Sequence, residues 1–151
     1  MIENKAQLLA DLAYIGSKVQ AKTNVYLFSG AAFQWHGLKD ATKDIDIFCS
    51  YEEADRIVTI LRTLGNMESV TGINDIHFLR IFLKSFTLQI FINEVWLGDE
   101  YQLLKAVHCD SLTFGGITFL IPDVKTLIMI KDRQIQALYN EWKKLAGERC
   151  I

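Results

Sequence analysis

Asp44-Ile45-Asp46-Ile47-Phe48 sets two carboxylates two residues apart among β-branched and aromatic neighbours. Read as a strand, the alternation points both acids to one face and Ile45 and Ile47 to the other, apolar one. Carboxylates this close repel unless a cation or hydrogen bonds compensate, and a hard divalent cation such as Mg²⁺ or Mn²⁺ suits such a pair of oxygen ligands. Mg²⁺ takes one or two carboxylates and fills its shell with water and phosphate oxygens, so the pair is best used beside a polyphosphate. Ser29-Gly30 offers the seat for one, between the apolar run Val25 to Phe28 and the short helical stretch Ala31 to Trp35. Small residues at a strand-to-helix turn let an anion approach the backbone, and the free N–H groups of the helix start face it. Taken singly, neither signal is specific. Asp-x-Asp is more often a solvated strand edge, and such a turn needs small residues anyway.

The elements that must position these residues follow from periodicity. Leu8, Leu12, Ile15 and Val19 recur at helical spacing, predicting a helix from Glu3 to about Ala21. The helix opened after Ser29-Gly30 should stop at Gly37, and Tyr51 to Leu64 reads as a further helix closed by Gly65. His77 to Leu83 and Phe86 to Ile92 read as a hairpin across Lys84-Ser85, which puts Arg80 opposite Gln89. Asp99 to Val107 suits a short helix, and Gly115-Gly116 marks a second hairpin between Leu112–Phe114 and Ile117–Leu120. After Pro122 the tail is helical to about Ala146, in one piece or two. Its apolar stripe of Ile135, Leu138, Tyr139, Trp142 and Leu145 belongs in a core or against a partner. The expected class is α/β (α+β): a mixed sheet with helices packed on it, then C-terminal helices, as one domain over residues 1–151.

Composition narrows the function classes. Half of the 151 residues are hydrophobic, and a net charge of −2 argues against strong nonspecific nucleic-acid binding. No apolar run reaches the roughly 18 residues that span a bilayer, and Met1-Ile2-Glu3-Asn4 does not begin a secretory leader. A cytoplasmic protein without a membrane partner is the expectation. Cys49, Cys109 and Cys150 are odd in number and lack C-x-x-C spacing, so they read as thiols. His36 reads as the end of a short helix. His77 and His108 lack ligand spacing and read as ordinary histidines.

Ser29-Gly30-Ala31-Ala32, His36-Gly37-Leu38 and Ala41-Thr42-Lys43-Asp44-Ile45-Asp46 together resemble the minimal prokaryotic nucleotidyltransferases of the DNA polymerase β-like superfamily, some of which serve as antitoxins. The specific match covers Val25 to Phe48, and a weaker one extends to Ile121-Pro122 and the terminal helix. The resemblance implies a nucleotidyltransferase-like fold and transfer of a nucleoside monophosphate from a nucleoside triphosphate, ATP among them, to an unidentified acceptor. It makes Asp44 and Asp46 the catalytic, metal-holding acids and Ser29, Gly30 and Lys43 the triphosphate contacts. Ser29 stands where many relatives have glycine. Lys39 and Lys131 are further candidates to neutralise phosphate charge, against the ordinary reading of solvated lysines.

Relatives usually add a third carboxylate on a neighbouring strand, and Gln89 occupies the matching place as a third metal ligand. An amide oxygen can coordinate a cation but neither neutralises it nor acts as a general base. A guanidinium at Arg80, opposite Gln89, would disfavour a second cation there. Asp75 and Glu94 are the substitutes nearest in sequence. Two functions therefore stand: a metal-dependent nucleotidyltransferase, or a catalytically weak or inactive protein of the same fold acting as a binding or regulatory, antitoxin-like partner of another chain.

Overall fold

The computed structural model describes residues 1–71, 77–92 and 109–149. Local sequence rules lay down α1 (Lys5–Ser17), β1 (Thr23–Phe28), α2 (Ser29–Trp35), β2 (Asp44–Cys49) and α3 (Tyr51–Leu61), which runs into a 3₁₀ turn at Arg62–Leu64. There follow β3 (Asn66–Thr71), β4 (His77–Phe82), β5 (Thr87–Ile92), β6 (Cys109–Phe114), β7 (Ile117–Pro122) and α4 (Val124–Arg149). The caps are side chains suited to the task. Asn4 Oδ1 accepts the Gln7 N–H at 2.8 Å to open α1, Ser50 Oγ accepts that of Glu53 at 3.2 Å to open α3, and Asp123 Oδ1 accepts that of Thr126 at 2.8 Å to open α4.

The strands form one sheet in the order β3-β4-β5-β2-β1-β7-β6. Pairs β1–β7 and β2–β5 are parallel and the other four antiparallel, so the sheet is mixed and the fold is the expected α+β arrangement. Period-two alternation divides its faces. Val25, Leu27, Ile45, Ile47, Leu88 and Ile90 lie on one face, fully buried in a single cluster with Leu8, Leu12 and Ile15 of α1 and Ile57 and Leu61 of α3. Burying each such aliphatic side chain stabilises the fold by about 1.5–3 kcal/mol. The opposite face carries Asp44 and Asp46.

Several boundaries differ from expectation for identifiable reasons. Helix α1 ends at Ser17 instead of near Ala21, where the Lys18 N–H turns back to the Ile15 carbonyl at 3.2 Å. Strand β3 was not anticipated: Asn66–Thr71 lacks apolar alternation because it is an exposed edge, held by its ladder to β4. The β4–β5 hairpin has the expected register, with Arg80 across from Gln89, and turns at Lys84-Ser85 as expected, closed by the Leu83 N–H donating to the Phe86 carbonyl at 3.0 Å. Gly115 adopts φ +56°, which explains the glycine turn between β6 and β7. The tail is one unbroken helix, and its stripe, Trp142 included, is exposed rather than in the core. The helix expected at Asp99–Val107, together with Asp75, Glu94, His108 and Cys150, lies outside the described residues. Among the described residues no helix is long and apolar enough to cross a membrane.

Ile47 is the central test of this layering. Ile47→Ala is expected to lower unfolding free energy by about 2–5 kcal/mol in urea titration, whereas Tyr51→Ala, at a side chain 66% exposed, should change it by less than about 0.5 kcal/mol.

Candidate active site

Register builds the site. Phe28 pairs with Asp46, Asp46 with Gln89, Gln89 with Arg80 and Arg80 with Glu68, so these five side chains form one row across β1, β2, β5, β4 and β3. Asp44, two residues before Asp46, shares its face. Because Ser29 directly follows Phe28, the β1–α2 turn stands beside Asp46. The chain passes from strand to helix there without a loop, and Ser29 takes φ +58° to do so. That left-handed conformation costs a side-chain-bearing residue about 1–2 kcal/mol, which accounts for glycine being the easier choice at this position. What serine adds is a hydroxyl within hydrogen-bonding reach of Asp46.

Asp46 is electrostatically frustrated. Its Oδ1 is shut off from solvent and has no hydrogen-bond partner. Burial, and then the neighbouring charge of Asp44, push its pKa up to about 7, against the opposing influence of the Ser29 hydroxyl, Lys131 and Lys39. An orphaned buried acceptor costs about 1–3 kcal/mol. A divalent cation between Asp44 and Asp46 would remove both penalties at once, and the hard oxygen donors suit Mg²⁺ or Mn²⁺.

The β1–α2 turn borders a cleft of about 380 Å³ lined by Ser29, Gly30, Phe33, Leu38, Lys39 and Lys131. Gly30 is required by packing. A Cβ there would lie 2.6 Å from Thr42 Oγ1 and 3.0 Å from Lys39 Nζ, and Thr42 is itself fixed by donating to the Asp44 carbonyl at 3.1 Å. The segment between α2 and β2 that bears Lys39 is clamped by buried Gln34, whose amide donates to the carbonyls of Asp40 at 2.8 Å and Ile2 at 3.1 Å, and by the Ile2–Thr42 bridge. Gln34, Thr42 and Ile2 were not singled out from sequence. The available signal was one amide in the otherwise small and apolar run Ala31 to Trp35.

Ser29, Gly30, Asp44, Asp46 and Gln89 are thus brought together, with Lys39 and Lys131. Lys43 is not among them. Its place in β2's alternation is opposite to that of Asp44 and Asp46, and it is exposed outside the cleft. The Arg80 guanidinium also turns away from Asp44 and Asp46: it pairs with Glu68 at 3.0 Å and lies over the rings of Phe78 and Phe82 at 5.4 and 6.0 Å. His36 ends α2 with its Nε2 2.8 Å from the Pro122 carbonyl, as a structural residue. Burial pushes the Cys49 thiol up to about 12, which makes it a poor nucleophile. Among the described residues no group of three or more His, Cys, Asp or Glu side chains converges; in register with the acids stand the Gln89 amide, opposite Asp46, and the Thr87 hydroxyl, opposite Asp44.

Compared with solved structures, the chain matches the crystal structure of a candidate nucleotidyltransferase from Thermotoga maritima with a TM-score of 0.71 over 96% of either chain, at 16% sequence identity. The fold is nucleotidyltransferase-like. No protein-family model matches the chain, and neither does any curated protein. At this identity the likeness is one of fold.

The raised pKa of Asp46 has a definite sign. Folded Asp46 holds its proton more tightly than the unfolded chain does, so the fold incurs no penalty below about pH 4 and an increasing one as pH rises towards 7. In chelator, Asp46→Asn should melt above wild type at about pH 8, with the two curves converging near pH 4; a pH-independent difference would contradict the burial account.

Proposed function

We propose that the chain is a metal-dependent nucleotidyltransferase, moving a nucleoside monophosphate from a nucleoside triphosphate such as ATP to a hydroxyl or phosphate acceptor. The observation that carries this reading is the unpartnered, buried Oδ1 of Asp46, on one face with Asp44 and beside a lysine-lined cleft. Asp44 and Asp46 would hold Mg²⁺ or Mn²⁺, with the Gln89 amide oxygen as the neutral third ligand. Bound there, the ion supplies charge stabilisation for the displacement at the α-phosphate.

The chain's own residues do the rest. Gly30 leaves the backbone open to phosphate oxygens, the Ser29 hydroxyl donates to them once a cation on Asp46 has released its single proton, and Lys39 and Lys131 neutralise the triphosphate from two different elements. Clamping by Gln34 and Thr42 keeps Lys39 in place before substrate arrives, so little ordering cost falls on binding. Phe33 and Leu38 make the apolar wall of the cleft and limit its water. Gln89 accepts no proton at neutral pH, so the acceptor's proton leaves to solvent or to phosphate rather than to β5.

Gln89 also favours a second reading: the same nucleotide site retained without turnover in a regulatory, antitoxin-like protein that acts on another chain. The two differ in outcome. With labelled triphosphates, Mn²⁺ or Mg²⁺ and a cell extract as acceptor source, the first reading expects labelling that falls at least ~100-fold in Asp44→Asn. Gln89→Asp should raise the rate by restoring charge opposite Asp46. Triphosphate plus metal that stabilises the wild type but labels nothing, in either wild type or Gln89→Asp, would instead support the regulatory reading.

A further inference from the structure

Among the described residues Ser29 alone carries a side chain at positive φ, +58°. Glycine takes that conformation freely, and the passage from β1 to α2 asks nothing more of the position. What serine offers against the strain is its hydroxyl, and two anionic partners contend for it. Phe28 pairs with Asp46, which sets the next residue, Ser29, beside that acid and within hydrogen-bonding reach of it. Ser29 also lines the cleft that holds Lys39 and Lys131. A hydroxyl has one proton, so it serves the carboxylate or a phosphate oxygen, not both. Charge decides between them. Ionised Asp46, with its buried Oδ1 unpartnered, draws the proton strongly until a cation neutralises the acid.

We propose that Ser29 is a two-position donor that couples the cation seat to the phosphate seat: it donates to Asp46 while the acids lack a divalent cation, and to a phosphate oxygen once one is bound. The proposal deepens the nucleotidyltransferase reading and rests on it. Cation binding then completes the phosphate seat, and by linkage the triphosphate strengthens cation binding by the same factor. Lys39 and Lys131 supply a separate part of the coupling. Their charges reach Asp46, so they oppose a lone cation there until phosphate neutralises them. That part does not pass through Ser29 and survives its replacement. With serine in place, the site selects the metal complex of the triphosphate over the free triphosphate more strongly than the lysines alone would.

The test compares Ser29→Ala and Ser29→Gly with wild type, each as the full chain, at pH 8, above the Asp46 pKa of about 7. Mn²⁺ alone, followed by electron paramagnetic resonance, should bind both variants within ~3-fold of wild type, against the ~10–100-fold loss expected if the hydroxyl stays on Asp46 and only orients it. The complex of Mn²⁺ with a nonhydrolysable triphosphate, followed by calorimetry, should bind both variants at least ~10-fold more weakly than wild type. Ser29→Gly adopts the turn without strain and should keep the wild-type circular dichroism, which separates lost coupling from misfolding. Variants that lose Mn²⁺ binding on its own, or that hold the complex as tightly as wild type, overturn the inference and leave the nucleotidyltransferase reading standing. A wild type that binds no such complex overturns both.

Discussion

Two carboxylates held on one face of β2, one with an oxygen that no protein donor reaches, are the constraint on which the site depends. Left to itself, this arrangement is unfavourable: burial and like charge both act against ionised Asp46. Yet the surrounding structure enforces it from several directions. Ile45 and Ile47 anchor the alternate face in the core, Phe28 and Gln89 flank Asp46 in register, and Thr42 fixes the Asp44 carbonyl. A fold that maintains an uncompensated acid pair at the cost of stability has the form of a preorganised cation site.

The turn beside it shows the same economy of position. Ser29 accepts a left-handed backbone so that β1 can pass directly into α2, and it sets a hydroxyl against Asp46 in return. Gly30, Lys39 and Thr42 then pack so closely that a single methyl group at Gly30 would displace one of them. On the proposed reading, anion seat and cation seat are therefore one mechanical unit, joined through Thr42 and the β1–β2 register.

Much of this was legible in the sequence because it rests on local periodicity. The shared face of Asp44 and Asp46, the small residues of the turn, and the Arg80–Gln89 register all follow from alternation and loop length. What was not legible depends on long-range pairing. Strand β3 exists only because β4 offers a ladder. Arg80 is drawn from the site by Glu68 on that unforeseen strand. Lys43 is adjacent to Asp44 in sequence but has the wrong parity, while Lys131, far away in sequence, reaches the cleft because α4 packs against α2. The Gln34 clamp joins Ile2 to Asp40, a connection no short window contains.

The central claim is that Asp44 and Asp46 form a cation seat next to a phosphate cradle. Anomalous diffraction from crystals grown with Mn²⁺ and a nonhydrolysable triphosphate tests it most directly. The account predicts manganese bound to both carboxylates, with phosphate oxygens completing its shell and the chain of phosphates running past Gly30 towards Lys39 and Lys131. Manganese bound elsewhere, or a triphosphate lodged away from the β1–α2 turn while both acids stay without a cation, would contradict it.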